Sequence, residues 1–359
     1  MEIGCRIGEL ETPVLWVDLA MVEENIFRLS SFLRAAGVGW RPHVKGIKVP
    51  ALAAKMMQAG AIGITCAKLS EAETMVAGGL RDVLIANQVV GVQKIRRLVG
   101  LLHHANVMVT IDDPENAAEI SEAAVRSKVV VKVLIEVDIG INRCGVLPGG
   151  DVVQLAKQIA DLQGVEFVGV MGWEGQCVHI ADPHEKELEC RRSVERLVMS
   201  AEMCTSEGLA AGMVSCGGSG TYWLTAYVPG VTEIQAGGAV LNSATYHQWG
   251  VDLGYALFVS SSIISHVVSD RVVVDAGRKA LGGGMVPPLP VGLDGVLEIR
   301  LDAEHGIIRF QSPRSGLRPG ERVDFVPGDD VVFLHDKLFG VRDGVVEVVW
   351  DVSGRGKLS

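Results

Sequence analysis

Lys45 stands in the segment Gly39-Trp40-Arg41-Pro42-His43-Val44-Lys45-Gly46-Ile47-Lys48, after the apolar run Ala36 to Trp40 and before an apolar, helix-like stretch from Val49 to Met57. A lysine amine condenses with aldehydes, and burial lowers its pKa toward reactivity. At the C-terminal tip of the first strand of a β/α repeat, it would point to where such folds do chemistry. By position alone, a solvated loop lysine is the ordinary reading. A second group narrows the choice: the loop Cys216-Gly217-Gly218-Ser219-Gly220-Thr221. No GKS or GKT follows it, and it lacks the GxGxxG spacing of a dinucleotide fold. A short glycine loop after the seventh strand of a barrel is the usual phosphate site of that fold. There Gly218 and Gly220 would let backbone N–H groups approach phosphate oxygens, and Ser219 and Thr221 would add hydroxyl donors. Gln235-Ala236-Gly237, after strand eight, would complete the cup. A tight strand-to-helix turn, with glycines for backbone freedom alone, is the other reading of this loop. A lysine facing a phosphate cup suggests an aldehyde cofactor that carries a phosphate. Pyridoxal 5′-phosphate fits, and its ring is an electron sink for a carbanion at Cα.

The elements that must position these groups alternate regularly. A helix reads from Val22 to Ala36, before the strand that leads to Lys45. Strands at 62–66, 82–86, 107–111, 129–137 and 165–170 follow, each ahead of an amphipathic helix, the last being the long one from Asp182 to Glu207. Met213-Val214-Ser215 and Thr232-Glu233-Ile234-Gln235 read as the seventh and eighth strands. Continuous apolar strands between helices imply a parallel sheet covered on both faces. Eight such units predict an α/β fold, a (β/α)8 barrel over residues 20–255, with an open doubly wound sheet as the alternative. From 256 to 359 the texture changes to short strands split by turns such as Asp294-Gly295, Pro319-Gly320 and Asp343-Gly344. Leu257 to Ser269, Arg271 to Asp275, Val331 to Leu334 and Val345 to Trp350 are among the strands expected in this C-terminal all-β domain. Residues 1–19 would join either domain.

Composition excludes several classes. The formal net charge of −10 argues against nucleic acid or an anionic membrane as partner. No apolar run reaches membrane-spanning length, and Met1-Glu2-Ile3-Gly4-Cys5-Arg6 starts no signal peptide, so a cytoplasmic protein is expected. The seven cysteines are scattered and include no CxxC pair, which argues against a disulfide framework or a zinc knuckle.

The polar residues that follow the predicted strands collect at one end of the barrel. They are His43 and Lys45 after strand one, and Thr65 and Lys68 after strand two. Glu136, Asp138, Asn142 and Arg143 follow strand five, and Trp173, Glu174, Gln176 and His179 follow strand six. These segments resemble the fold-type III pyridoxal-phosphate enzymes, specifically the D-threonine aldolase and D-serine dehydratase group with its alanine racemase-like N-terminal barrel. Arg41-Pro42-His43-Val44-Lys45 resembles that family's RPHxK motif, and Asp138-Ile139-Gly140-Ile141-Asn142-Arg143-Cys144-Gly145-Val146 its DxGxxRxGV motif. Ser215 to Tyr222 resembles the phosphate loop, and Val274 to Ala280 and Gly340 to Gly344 match in the β-domain. The resemblance implies that Lys45 holds the cofactor and Arg143 bonds its phenolic oxygen. It implies a homodimer with the site shared across chains.

Two departures bear on the reaction. The family's YxGHxxH reads here Trp173-Glu174-Gly175-Gln176-Cys177-Val178-His179, which keeps the last histidine, replaces the first by Gln176 and puts Trp173 where a tyrosine packs on the cofactor. The family's metal-binding HxC or HxD is missing, since its histidine falls at Pro327 or Gly328; Asp329, Asp330 and His335 are the cation candidates left, and a surface turn of unpaired acids is the other account of them. The resemblance implies a lyase cleaving a D-3-hydroxy amino acid of D-threonine type to glycine and an aldehyde, with His179 taking the β-hydroxyl proton. The alternatives are a metal-independent racemase, epimerase or other Cα-carbanion enzyme, then a D-serine-type dehydratase, and a non-catalytic cofactor-binding protein.

Overall fold

The computed structural model describes residues 2–359. Contacts divide the described residues into two compact units, one of residues 29–45, 50–237 and 357–359, the other of residues 2–28, 46–49 and 238–356.

The first unit is built on eight parallel strands, Gly39–Trp40, Ile64–Cys66, Asp82–Gln88, Asn106–Ile111, Val131–Glu136, Val165–Met171, Met213–Cys216 and Glu233–Ile234. Each pairs with its sequence neighbour from the second strand onward, and the eighth pairs with the first in the register Gly39↔Glu233 and Trp40↔Ile234. A parallel bridge, His43↔Thr65, joins the first strand's extension to the second strand. There the Val44 N–H donates to the Thr65 carbonyl at 2.8 Å and the Thr65 N–H to the Pro42 carbonyl at 2.9 Å. The ring of strands is therefore closed, which rules out the open doubly wound sheet. Val131–Glu136 is buried at five of six positions, and its run Val133-Leu134-Ile135 is apolar because both faces of the strand are covered. Leu84, Met108, Leu134 and Met171, from the third to the sixth strand, form one buried cluster. Pro114 and Pro183 open their helices behind Asp113 and Asp182, whose side chains accept N–H bonds from Asn116 and Glu185.

The second unit carries a mixed sheet whose hub is the long strand Leu257–Val268. Val14–Asp18 lies antiparallel to it and parallel to Lys337–Arg342, so the N-terminal segment belongs to this sheet. One expectation is corrected here. Val331 to Leu334 is not a strand; it contains the short 3-10 turn Val332–Leu334, and the strand is Lys337–Arg342. The apolar run Val331-Val332 is apolar because it is buried, not because it pairs. Lys337–Arg342 forms a hairpin with Val345–Asp351 around Asp343 and Gly344, at φ +50° and +78°, the pair of positive values that a type I′ turn requires. Among the described residues no helix is long and apolar enough to cross a membrane. All seven cysteines are free thiols, and five of them are buried.

Candidate active site

Three of the expected side chains meet at one indole. Trp173 follows the sixth strand and is half-buried. The Lys45 ammonium lies 5.2 Å from the centroid of its ring and the Arg143 guanidinium 5.4 Å. Both are within cation–π range, and two cations held at one ring make a place that attracts an anion. Lys45 is exposed, contrary to the burial argued from sequence, because it stands at the tip of its loop between the buried Val44 and Gly46. Arg143 is delivered by the segment after the fifth strand. Asp138 Oδ1 accepts the N–H groups of Gly140 and Asn142, both at 3.0 Å, and Asp112 accepts the Gly145 N–H at 2.8 Å. Behind Arg143, its Nη2 sits 3.5 Å from Glu136 Oε1, while Glu136 Oε2 accepts Gln88 Nε2 at 2.6 Å. Burial pushes the Glu136 carboxyl above the usual range, and the Gln88 bond and the Arg143 charge pull it back.

The glycine loop lies against the same ring. A Cβ at Gly218 would stand 2.7 Å from Trp173 Nε1, and Gly217 sits at φ +76°, where only glycine is at ease. The Gly218 N–H donates to Thr221 Oγ1 at 3.0 Å, and the N–H groups of Thr221 and Tyr222 return to the Gly218 carbonyl at 3.1 and 3.0 Å. The Thr221 hydroxyl donates to Glu174 Oε1 at 2.5 Å. Of the two expected hydroxyl donors, Thr221 thus serves the loop itself; Ser219 and Gly220 are buried within it. Gln235 Nε2 donates to Ser215 Oγ at 2.8 Å and so ties the end of the eighth strand to the seventh. Gly237 is packed on the backbone of His43, where a Cβ would overlap the carbonyl oxygen. His179 closes the 3-10 turn Gly175–His179 and is exposed. Gln176, where the family motif has its first histidine, donates to Ser193 Oγ at 3.0 Å on the long helix Pro183–Ser206.

The family described as "Alanine racemase, N-terminal domain" matches residues 17–243, well over half of the chain. The chain belongs to this family. A serine dehydratase domain matches residues 256–339. The D-threonine aldolase of Arthrobacter sp. is 34% identical to this chain, covering 98% of it and 95% of the aldolase. The 3-hydroxy-D-aspartate aldolase of Paracoccus denitrificans (strain Pd 1222) is 33% identical over 99% of this chain and 94% of the aldolase. The crystal structure of D-threonine aldolase from Filomicrobium marinum superposes with a TM-score of 0.97 at 31% identity, covering all of both chains. The alanine racemase-like barrel with a C-terminal β-domain is the fold expected from sequence, and the chain is an aldolase-type lyase by its relatives.

Within this family frame, three residues at the site were not assigned a role from sequence: Glu174, Glu136 and Gln88. For the two glutamates the available signal is an acid at or just beyond the end of an apolar strand, since a buried carboxyl needs partners. The cation candidates lie in the second unit. Asp330 accepts from the Tyr246 hydroxyl at 3.3 Å, the Asp330 N–H donates to Asp329 Oδ1 at 2.8 Å, and His335 Nε2 is bonded to the Ala280 carbonyl at 2.9 Å. Burial holds the His335 imidazole below its usual pKa. Among the described residues no group of three His, Cys, Asp or Glu side chains is arranged to hold a metal ion.

Proposed function

We propose that this chain is a pyridoxal 5′-phosphate-dependent lyase that cleaves a D-3-hydroxy amino acid of D-threonine type to glycine and an aldehyde. The observation that carries it is the convergence of Lys45, Arg143 and the Gly217–Thr221 loop on Trp173. The residues present fit the cofactor. An amine for the aldehyde, a guanidinium for the phenolic oxygen and a loop too tight for any Cβ at Gly218 surround one aromatic ring. When bound, the cofactor supplies an electron sink for the charge left at Cα. Lys45 holds it, Gly218, Ser219 and Gly220 receive its phosphate, and Gln235 and Gly237 frame the cup. Trp173 packs against the ring. His179 accepts the proton of the substrate β-hydroxyl while the Cα–Cβ bond breaks, and a proton returned to Cα completes glycine. The likeness to two aldolases named for D-threonine and 3-hydroxy-D-aspartate supports the substrate class.

The test is a screen of D- and L-amino acids with separate detection of glycine, 2-oxo acid and enantiomer. Glycine is expected from D-3-hydroxy substrates alone; enantiomer without glycine would replace the lyase by a racemase. His179→Ala is expected to lower kcat by about 10²–10⁴-fold, the usual contribution of a positioned base. Because His179 is exposed, stability should change by less than about 0.5 kcal/mol and cofactor affinity should hold. Parallel losses of turnover and cofactor binding would assign His179 a structural role instead.

A further inference from the structure

Glu174 has no part in the reading above, yet it is fully buried beside the ring on which the site is built. Its carboxyl meets the seventh-strand loop at two points. Oε1 faces the Thr221 hydroxyl at 2.5 Å, and Oε2 accepts the Gly217 N–H at 3.3 Å. Thr221 Oγ1 in turn accepts the Gly218 N–H at 3.0 Å. A single carboxyl at the end of the sixth strand therefore fixes the first corner of the loop directly and the second through Thr221. Trp173, the preceding residue, carries Lys45 and Arg143 on its ring and abuts Gly218. The short segment Trp173-Glu174 thus sets both the ring face and the loop that faces it.

We propose that Glu174 is a positioning residue that holds the Gly217–Thr221 loop, through Gly217 and Thr221, in the shape that receives a phosphate. The inference rests on the reading of this loop as the cofactor's phosphate site. A carboxyl beneath a phosphate needs an account, because two anions this close would repel. Burial supplies it: the Glu174 carboxyl is pushed above the usual range by desolvation, partly offset by its bonds from Thr221 and the loop backbone. Desolvation disfavours the charged form, and the charge the carboxyl carries is met by the Thr221 hydroxyl and the Gly217 N–H. Glutamine at this position has the same size and one matching acceptor, but its amide N–H groups would confront the Gly217 N–H. Valine in place of Thr221 keeps the packing and removes the hydroxyl that relays Glu174 to Gly218.

The experiment compares binding of pyridoxal 5′-phosphate with that of pyridoxal, which shares the aldehyde and ring and lacks the phosphate. Dissociation constants are read from the visible absorbance of the lysine-linked ligand in the full chain. Binding of pyridoxal 5′-phosphate to the unaltered chain is read first, and its absence would overturn the cofactor reading and this inference together. Given that binding, Glu174→Gln and Thr221→Val should each weaken pyridoxal 5′-phosphate by roughly 10- to 100-fold, as expected for lost bonds around a charged group, and leave pyridoxal within about twofold. The double variant should be no weaker than the worse single variant, because both act on one relay. Equal weakening of both ligands, no weakening of either, or additive losses would each overturn the positioning role. If Glu174→Gln fails to fold, the Thr221→Val comparison decides alone: selective loss of the phosphorylated ligand supports the relay, and loss of neither or both equally overturns it.

Discussion

Lys45→Ala should remove the visible absorbance of the lysine-linked cofactor and lower turnover by more than about 10³-fold. A positioned acid–base group alone contributes ~10²–10⁴, and here attachment is lost with it. The fold should survive, because Lys45 is exposed and its neighbours Val44, Gly46 and Ile47 supply the packing. The paired measurement is absorbance and circular dichroism on the same sample. Unchanged far-ultraviolet dichroism with loss of colour is the expected outcome. Colour that persists would sink the assignment, and Lys68, an exposed lysine after the second strand, would be the next to replace. The contact with Trp173 gives a second readout: removing the ammonium from the ring should change tryptophan fluorescence even before cofactor is added.

Much of the site was legible because its chemistry is local. Lys45, Arg143 and the glycine loop each sit a few residues beyond a strand, so an apolar run followed by polar residues was signal enough. The strands were legible for the same reason, since Val131–Glu136 and its neighbours are buried on both faces. Closure was not. It depends on the pairing of Gly39 with Glu233 and of His43 with Thr65, and nothing near either residue announces its partner. The strand Lys337–Arg342 was hidden by its lysine, glycine and arginine, whereas the buried Val331-Val332 imitated one. Glu174 and Glu136 carried the faintest signal. An acid after an apolar strand looks the same in the sequence whether it faces solvent or a loop, and only the folded chain shows that Thr221 and Gly217 meet Glu174.

Arg41→Met should destabilise the barrel by about 3–5 kcal/mol, the range for removing one partner of a buried ion pair. Arg41 is the first residue of the motif that ends in Lys45, and the structure turns it away from chemistry. It is buried, its Nε donates to both oxygens of Glu233 at 3.0 Å, and its Nη1 makes a short bond to Asp82. Burial alone would lower its pKa, but Glu233 and then Asp82 outweigh that effect and raise it, which is the signature of a guanidinium held by its anions. Without Arg41, the buried Glu233 loses its partner. Chemical denaturation should show the loss, and Arg41→Met combined with Glu233→Leu should recover most of it, because an apolar pair of similar volume replaces buried ions at little cost. A loss below about 1 kcal/mol for the single variant would mean that water reaches Glu233, contrary to its burial. The consequence for the site follows from position. Arg41 is four residues before Lys45, and Glu233 is two before Gln235, so this ion pair clamps the seam between the first and eighth strands, the ends of which carry the lysine and the Gln235–Gly237 side of the cup. Loosening that seam should weaken cofactor binding in Arg41→Met, and the apolar pair, by restoring the seam, should restore the binding with it.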